Sequence, residues 1–515
     1  MPTDVASSPA IGLAALTAAL RSRRTASVVL LSFSSGLPLG LVWYAIPDWM
    51  RDRGVDLRLV GLLTLAQAPW AFKIVWSPLM DRFVPFWGRR RGWMAIAQIA
   101  LVATTLLLAG VGDDPDSMWV VGAVACAMAL AAASQDIAYD AYAVDVLRPE
   151  EQGAAVGPRT AMYRAAMAVS GGAAISLAAR WGWPAVNLLL AVTYLPMLLL
   201  TWKAPEPEQS VAPPVSLRAA VWQPFLDILG RPRALEILAF VVLYKLGDQL
   251  AQALTRPFLI DMGYSADHRG IALATVGLVA TMTGALVGGW VTTLVGLGHG
   301  LWIFGLLQAF SNAGYFLIAR AGAPDLPIMY GATSFELFTS GLGTGAFGVL
   351  LMRLTERRFS ATQYALLSSL FALPRLVAGP ITGFAVHALG WETFYLLTVV
   401  ISLPGLLMLA RFAPPGVREP TFASGPPDHA SVSPGSLWLP ALTGAVSMLA
   451  LAVATLVIVA ALGAAGGGAT ATFSLGAALD AALVPRDVAG LVQLAGVVTV
   501  SVLGGLAAAA YAASR

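Results

Sequence analysis

The sequence has little of what enzymes and metal proteins use most. Its 515 residues include one cysteine, Cys126, and four histidines, so no intrachain disulfide can form and no thiol-based metal cluster can be built. No nucleophile, base and orienting group stand together in a recognisable catalytic pattern. We therefore expect no enzyme activity, no bound metal and no cofactor.

Charge is also scarce. Charged residues make up 11% of the chain and hydrophobic residues 58%, whereas soluble domains carry about 25% charged residues. Apolar stretches of about 20 residues recur along the chain, and each is long enough to cross a roughly 30 Å hydrocarbon core as a helix. The sequence predicts an all-α polytopic membrane protein whose surroundings are the lipid bilayer, with no nucleic-acid partner.

Two proline-rich stretches divide the apolar segments into sets of six, six and two. The first six predicted spans are 25–48, 59–80, 92–111, 118–144, 154–178 and 185–203. The other eight are 234–259, 268–294, 299–320, 326–354, 361–388, 392–411, 437–462 and 487–511. The corresponding domains are an N-terminal segment 1–24, a first half 25–203, a linker 204–233, a second half 234–411, a linker 412–436 and a pair of additional helices 437–515. About fourteen crossings are expected.

Basic residues are distributed unevenly between the two sets of loops. Alternate assignment of the loops puts eighteen Arg and Lys residues on one face and seven on the other. Because cytoplasmic loops carry the excess of positive charge, both termini are expected in the cytoplasm.

A charged motif lies between the second and third spans. Asp81 and Arg82 end the second span, and Arg89, Arg90 and Arg91 open the third. The motif resembles the loop signature of major facilitator transporters, which implies that the aspartate closes a cytoplasmic gate in one of two conformations. We assign the gate to Asp81, Arg82, Arg89 and Arg90. The alternative is that the arginines only fix topology.

The fourth and fifth spans carry opposite charges. Asp136 and Asp140 are four residues apart and share a helix face, and a central carboxylate costs about 2.5–3.5 kcal/mol without partners. Counting outward from the short loop between the spans pairs Asp140 with Arg159 and Asp136 with Arg164. These pairs either pin the two helices together or make the acids usable proton carriers.

A polar stripe marks the seventh span. Lys245, Asp248 or Gln249, Gln252 and Arg256 follow one another at offsets of three or four, so they share one helix face. Such a stripe needs a wet cavity or polar neighbours. Two glutamines beside a lysine suit carboxyl and amide ligands, and a purely structural stripe is the alternative.

The tenth and eleventh spans repeat the arrangement of acid and base. Glu336 and Arg375 lie at similar distances from their shared loop, as two related half-bundles predict. With the acids named above, the proton-coupling candidates are Asp136, Asp140, Asp248 and Glu336.

The first span contains glycines and a proline at 36–40, which predict a bend or hinge. Trp43 and Tyr44 follow one turn later and either stack on a sugar ring or lie at the membrane interface. Lys73, in the second span, has no obvious partner.

Eight segments resemble the AmpG permeases, the muropeptide importers of the major facilitator superfamily. They are 33–38, 72–82, 88–93, 133–136, 243–248, 311–315, 359–368 and 390–395. The resemblance runs from about 32 to 409. It departs at an insertion, 84–87, and at Ala143, where relatives commonly carry a lysine.

The resemblance implies proton-driven import of GlcNAc-anhydroMurNAc and its peptides across the bacterial inner membrane, for peptidoglycan recycling. We expect a monomer with two six-helix halves, as in the major facilitator fold. The substrate-binding candidates are Trp43, Tyr44, Gln135, Arg164, Lys245, Gln249, Gln252, Asn312 and Arg375.

Two other functions remain open from the sequence. The eukaryotic acetyl-CoA transporters also resemble AmpG, so another bulky anion is a possible substrate, because a fold alone does not choose one. A receptor or assembly factor that uses a transporter scaffold without transporting is the second alternative.

Overall fold

The computed structural model describes residues 12–56, 66–111, 117–207, 211–422, 436–466, 474–486 and 488–513. Within these ranges the chain forms helices and no strands. The predicted all-α membrane architecture is confirmed.

Six helices form the N-terminal half in the predicted order. They are α1 (Arg23–Asp52), α2 (Ala68–Phe72, Lys73–Val75 and Ser77–Arg82), α3 (Arg91–Val111), α4 (Met118–Val146), α5 (Pro149–Ala168, Val169–Ala173 and Ala174–Trp181) and α6 (Trp183–Lys203). The predicted start of the second span, up to 65, lies outside the described residues.

The C-terminal half also has six helices. They are α7 (Ala234–Leu243, Leu246–Ala253 and Thr255–Asp261), α8 (Ala266–Val295), α9 (Leu297–Ala321), α10 (Leu326–Leu354), and the two parts of Ser360–Phe412 before and after Gly390, α11 (360–389) and α12 (391–412). Two further helices follow, α13 (Trp438–Gly466) and α14 (Val488–Ala513).

Three short helices accompany them. They are Leu13–Leu20, Leu217–Leu229, which we call the linker helix, and Leu475–Leu483. Ten helices in the described ranges are long and apolar enough to cross a membrane. Those ten do not include α2, α5 or α7, which are broken or polar, and they count the end of α11 together with α12 as one span, so the total of fourteen crossings stays a prediction.

Single glycines make the sharpest connections between helices. Gly182, Gly296 and Gly390 have φ angles of 78°, 90° and 76° and join α5 to α6, α8 to α9 and α11 to α12. These positive φ angles strain residues that have a Cβ atom. Each pair of helices is therefore joined by about one residue, which holds the pair antiparallel.

The two halves share a large hydrophobic core near one end of the bundle. Met80, Tyr139 and Val156 of the first half pack in one cluster with Phe347 and Tyr364 of the second. A second cluster belongs to the first half alone, and a third belongs to the second half alone. The shared cluster lies at the end that carries the charged loop 81–91, which we call the gate face.

Close backbone contact joins the halves where α5 meets α8. A Cβ atom on Gly157 would lie 2.5 Å from the carbonyl oxygen of Ala285, and one on Gly289 would lie 2.4 Å from that of Gly153. Only glycine permits this approach, as in other small-residue helix contacts in membranes. We call this contact the glycine seam.

The additional helices pack beside the linker helix. Phe225 and Leu229 of the linker helix share a cluster with Ile74 of α2 and Ala510 of α14, and Leu366 of α11 packs against it. The pair formed by α13 and α14 therefore lies on the α2 and α11 side of the bundle.

The glycine seam predicts a stability effect. Gly157→Ala should lower the free energy of unfolding by about 1–3 kcal/mol, because the added methyl group overpacks against backbone. Gly172→Ala in the same helix is the matched control, since nothing lies within 4 Å of its Cβ position. Thermal unfolding of the purified protein in detergent measures both, and equal midpoints for the two variants would contradict the seam.

Candidate functional site

The gate motif centres on a fully buried carboxylate. Asp81 accepts hydrogen bonds from Arg90 Nη2 at 2.6 Å and Arg89 Nη2 at 3.2 Å, both from its own half. From the other half it accepts Thr362 N at 2.8 Å, Thr362 Oγ1 at 2.7 Å and Ala361 N at 3.2 Å. The last three donors lie at the N-terminus of α11, where free amides and the helix dipole favour an anion. We call these contacts the latch.

The two arginines of the latch remain charged. Burial and the neighbouring Arg90 lower the pKa of Arg89 to about 10, which leaves it cationic at neutral pH. Burial opposes the charge of Arg90, but the carboxylates of Asp145 and Asp81 outweigh it and raise its pKa. Arg90 also donates to Ser360 Oγ at 2.7 Å, a second contact between the halves.

Arg82 has a different position from the one expected of a gate residue. Its guanidinium lies 5.6 Å from the ring centroid of Phe83, in its own half. The contact described for Arg82 is not one of those around Asp81, and its assignment to the gate stays a prediction.

A further set of contacts between the halves was not predicted. Arg353, at the end of α10, donates to Gln152 Oε1 at 2.6 Å and to the carbonyl of Pro149 at 2.8 Å, both at the start of α5. Glu419, which follows α12, lies 3.7 Å from Arg353 and accepts from Leu297 N at 3.1 Å. No periodic pattern pointed to Glu419, because it lies in a proline-rich segment.

The predicted pair between α4 and α5 is present. Arg159 Nη2 lies 2.8 Å from Asp140 Oδ1 and donates to Tyr364 of α11 at 3.2 Å. Lys73, for which the sequence offered no partner, lies 4.0 Å from the other oxygen of Asp140. One carboxylate thus faces two cations, and one of these cations also contacts the second half.

Asp136 lies one turn further from the gate face. Its Oδ2 accepts the indole N–H of Trp70 at 2.9 Å, and Trp43 packs edge-on against Trp70 with centroids 5.8 Å apart. Arg164, its predicted partner, has an exposed side chain. The pairing of Asp136 with Arg164 stays a prediction.

The stripe on α7 forms a buried network with α10. Lys245 Nζ lies 3.0 Å from Asp248 Oδ2 and donates to the carbonyl of Ser340 at 3.2 Å. Ser340 Oγ donates to Asp248 Oδ2 at 3.0 Å. The helix is interrupted at Tyr244 and Lys245, between Ala234–Leu243 and Leu246–Ala253, at the position of the charges.

Glu336 accepts hydrogen bonds from uncharged donors on both oxygens, and it lies beside the carboxyl group of Asp248. Gln252 Nε2 donates to Oε1 at 2.7 Å, and the hydroxyl of Tyr315 donates to Oε2 at 3.1 Å. Glu336 is fully buried. Its predicted partner Arg375 has a side chain outside the described residues, so that pairing also stays a prediction.

The substrate-binding candidates differ in accessibility. Gln135, Asn312 and Lys245 have exposed fractions of 0%, 0% and 1%, so this conformation presents them to protein neighbours rather than to a ligand. Tyr44, in contrast, is 53% exposed, and it packs against the π-helical turn of α5 near Gly171. Gln249 is half-buried.

Sequence reasoning missed several members of these clusters. Ser340 lies four residues after Glu336, and Trp70 lies three before Lys73, so helical spacing alone would have placed each beside a charge. Tyr315 and Tyr364 gave no such signal, because their acids and bases lie on other helices. In the described part of the chain, no three His, Cys, Asp or Glu side chains are placed to hold a metal ion.

The latch predicts how the gate face opens. Asp81→Asn keeps the shape of the side chain but removes the charge that holds five donors, so the gate face should open more often. In a Cys126→Ser, Ala361→Cys reporter, whose side chain at position 361 is buried, maleimide labelling should become about tenfold faster, which corresponds to roughly 1.4 kcal/mol.

Arg82→Gln in the same reporter is the matched control. It removes a charge from the same loop but from outside the latch, so the labelling rate should stay within twofold of the parent. An unchanged rate for Asp81→Asn would contradict the latch.

Comparison with known proteins agrees with this architecture. Residues 28–373 match the family model of the Major Facilitator Superfamily. The anhydromuropeptide permease of Escherichia coli (strain K12) is 43% identical over 75% of this chain and 79% of its own length. The putative transporter AmpG 4 of Rickettsia felis is 29% identical over 76% of this chain and 97% of its own length.

Solved structures give the same fold. The human organic anion transporter MFSD10 (TETRAN) superposes with a TM-score of 0.57 at 15% identity, over 75% of this chain and 99% of that one. The proton:xylose symporter XylE gives 0.56 at 14% identity, over 76% and 96%. The fold, the matched family model and the identity to a curated permease together show that the chain belongs to the major facilitator superfamily of membrane transporters and, within it, to the AmpG permeases.

Proposed function

We propose that this protein is a proton-coupled symporter that imports GlcNAc-anhydroMurNAc and its peptides from the periplasm to the cytoplasm for peptidoglycan recycling. The observation that carries the proposal is the pair of buried acid and base clusters, one in each half, in a chain 43% identical to an anhydromuropeptide permease. Muropeptides carry carboxylates, and protons that enter with them offset that negative charge.

The proposed orientation places the gate face in the cytoplasm. The excess of arginines and lysines in those loops favours it, and both termini then lie on the cytoplasmic side of the bacterial inner membrane. With the latch closed, the conformation described above is closed toward the cytoplasm. Substrate would enter from the periplasmic side, between the two halves.

Glu336 is our principal candidate for proton uptake. The donors described for it, Gln252 and Tyr315, are neutral, and a buried carboxylate without a cation is costly in its charged form. Gln252 also lies 3.4 Å from Asp248 Oδ1, so a change at Glu336 reaches the Lys245 and Asp248 pair directly. Protonation would thus alter the network that links α7 to α10.

The cluster in the first half supports a different role. Asp140 forms ion pairs with Arg159 and Lys73. Protonation of Asp140 is therefore unfavourable, because it would remove the negative charge that both cations contact. Asp136, which contacts Trp70, is the second candidate for proton coupling. Trp43 and Tyr44 of α1 and Arg164 of α5 would contact the sugar and a carboxylate of the substrate.

Several features of the proposal rest on the family resemblance. These are monomeric function, the absence of a cofactor and the muropeptide itself as substrate. The exposed arginines Arg164 and Arg256 suit an anionic ligand, because guanidinium groups bind carboxylates with two parallel hydrogen bonds.

Transport assays test the substrate. Proteoliposomes with an acidic exterior should accumulate labelled GlcNAc-anhydroMurNAc, and collapse of the pH gradient with a protonophore should stop accumulation. Acetyl-CoA, tested in parallel, should not be taken up. If only acetyl-CoA is taken up, the proposed substrate is wrong. If neither compound is taken up, the protein transports neither of them.

Glu336→Gln tests the proton site. The amide keeps the size of the side chain and can still bond to Tyr315, but it cannot release a proton. Accumulation against a gradient should fall at least tenfold, while exchange of labelled for unlabelled substrate at equal concentrations should persist. Glu392→Gln, at an exposed position of α12, should leave both activities unchanged. Uphill transport by Glu336→Gln would exclude Glu336 as the carrier.

A further inference from the structure

An open groove lies between the linker helix and the additional pair of helices. Its volume is about 630 Å³. Leu217, Val221 and Trp222 form one wall, and Trp438 of α13 and Leu506 of α14 form the other. We call it the hairpin groove.

The hairpin groove is apolar apart from one positive charge. Arg218 is its only charged lining residue, and its side chain is exposed. Among the described residues, no carboxylate forms an ion pair with Arg218. The groove therefore presents a hydrocarbon-like surface with a cation at its rim.

The position of the groove relates it to one leaflet of the bilayer. Gln363, in the first turn of α11, donates to Asp227 of the linker helix at 2.7 Å, and Arg231 donates to the carbonyl at the end of α10. The linker helix therefore lies on the gate face. Each wall of the groove beside it carries a tryptophan, Trp222 and Trp438, and tryptophan is favoured at the bilayer surface.

We propose that the hairpin groove binds one anionic glycerophospholipid, with the phosphate at Arg218 and an acyl chain between the linker helix and α13 and α14. Charge complementarity selects this occupant. An unpaired arginine at the end of an apolar groove fits a headgroup that carries a net negative charge above hydrocarbon chains. Phospholipid is also the molecule that surrounds this surface at high concentration.

The proposal gives the additional helices a role beyond the two halves. A lipid in the groove would contact the linker helix, α13 and α14 at once. The linker helix contacts Gln363, the neighbour of Thr362 in the latch. Lipid binding would therefore stabilise the docking of α13 and α14 beside the gate, whatever substrate the protein carries.

Thermal unfolding of the delipidated full-length protein in detergent tests the proposal without transport. Phosphatidylglycerol should raise the unfolding midpoint by several degrees more than phosphatidylcholine with identical acyl chains. Arg218→Gln should abolish this difference, and Arg218→Lys should keep most of it. Arg233→Gln, an exposed arginine near the end of the same linker, should behave like the parent.

A variant that fills the hairpin groove provides an independent test. Ala441→Phe places a ring among the apolar lining residues and should reduce the response to both lipids. Equal responses to the two lipids in the parent, or a preference for phosphatidylglycerol that survives Arg218→Gln, would overturn the proposal. Dimerisation on delipidation that is lost in Ala441→Phe would assign the groove to a second copy of the chain and would also overturn it.

Discussion

A charged side chain that is buried away from water needs polar or oppositely charged partners. In this protein the partners of one buried carboxylate, Asp81, join the two halves. Asp81 is fully buried, and its partners come from both halves, Arg90 from one and Thr362 from the other. The halves cannot separate at the gate face unless water replaces the donors of α11 around Asp81. The shared hydrophobic core lies at the same end. Ionic and apolar contacts between the halves thus concentrate at the gate face, while each half keeps its own core elsewhere.

Buried charges inside the membrane also need partners, and the two halves provide different ones. In the first half Asp140 has two cations, Arg159 and Lys73. In the second half, Lys245 is paired with Asp248, and Glu336 is surrounded by the amide of Gln252, the phenol of Tyr315 and the carboxyl group of Asp248. The two halves repeat the sequence arrangement of acids and bases, but the resulting contacts differ. Asp140 of the first half has two cationic partners, whereas no cationic partner is described for Glu336 of the second half. That difference favours the second half for proton exchange.

Hydropathy predicted the helices well, since a span must match the thickness of the bilayer. The predicted tenth span agrees with α10 at both ends, and the third differs from α3 by one residue. The Asp140 and Arg159 pair was predictable because α4 and α5 are joined by a short loop, which fixes their relative depth. The contact of Trp70 with Asp136 was not, because it depends on how α2 packs beside α4. Burial of Asn312 was equally hidden, since an apolar helix gives no sign of which face meets protein.

The strength of the gate must suit a conformational cycle. A hydrogen bond to a charged group contributes roughly 1.5–3 kcal/mol net of the water it replaces, and three of the donors to Asp81 come from the other half. Their sum is on the order of several kcal/mol, close to the roughly 5.5 kcal/mol that reverses a 1:99 equilibrium. The glycine seam adds close contact between α5 and α8 through backbone atoms. Because glycines bring no side chains that interlock, this side can separate without breaking an ion pair. Opening the gate face therefore requires breaking the latch and the contacts of Arg353 with the start of α5, and substrate binding can offset that cost.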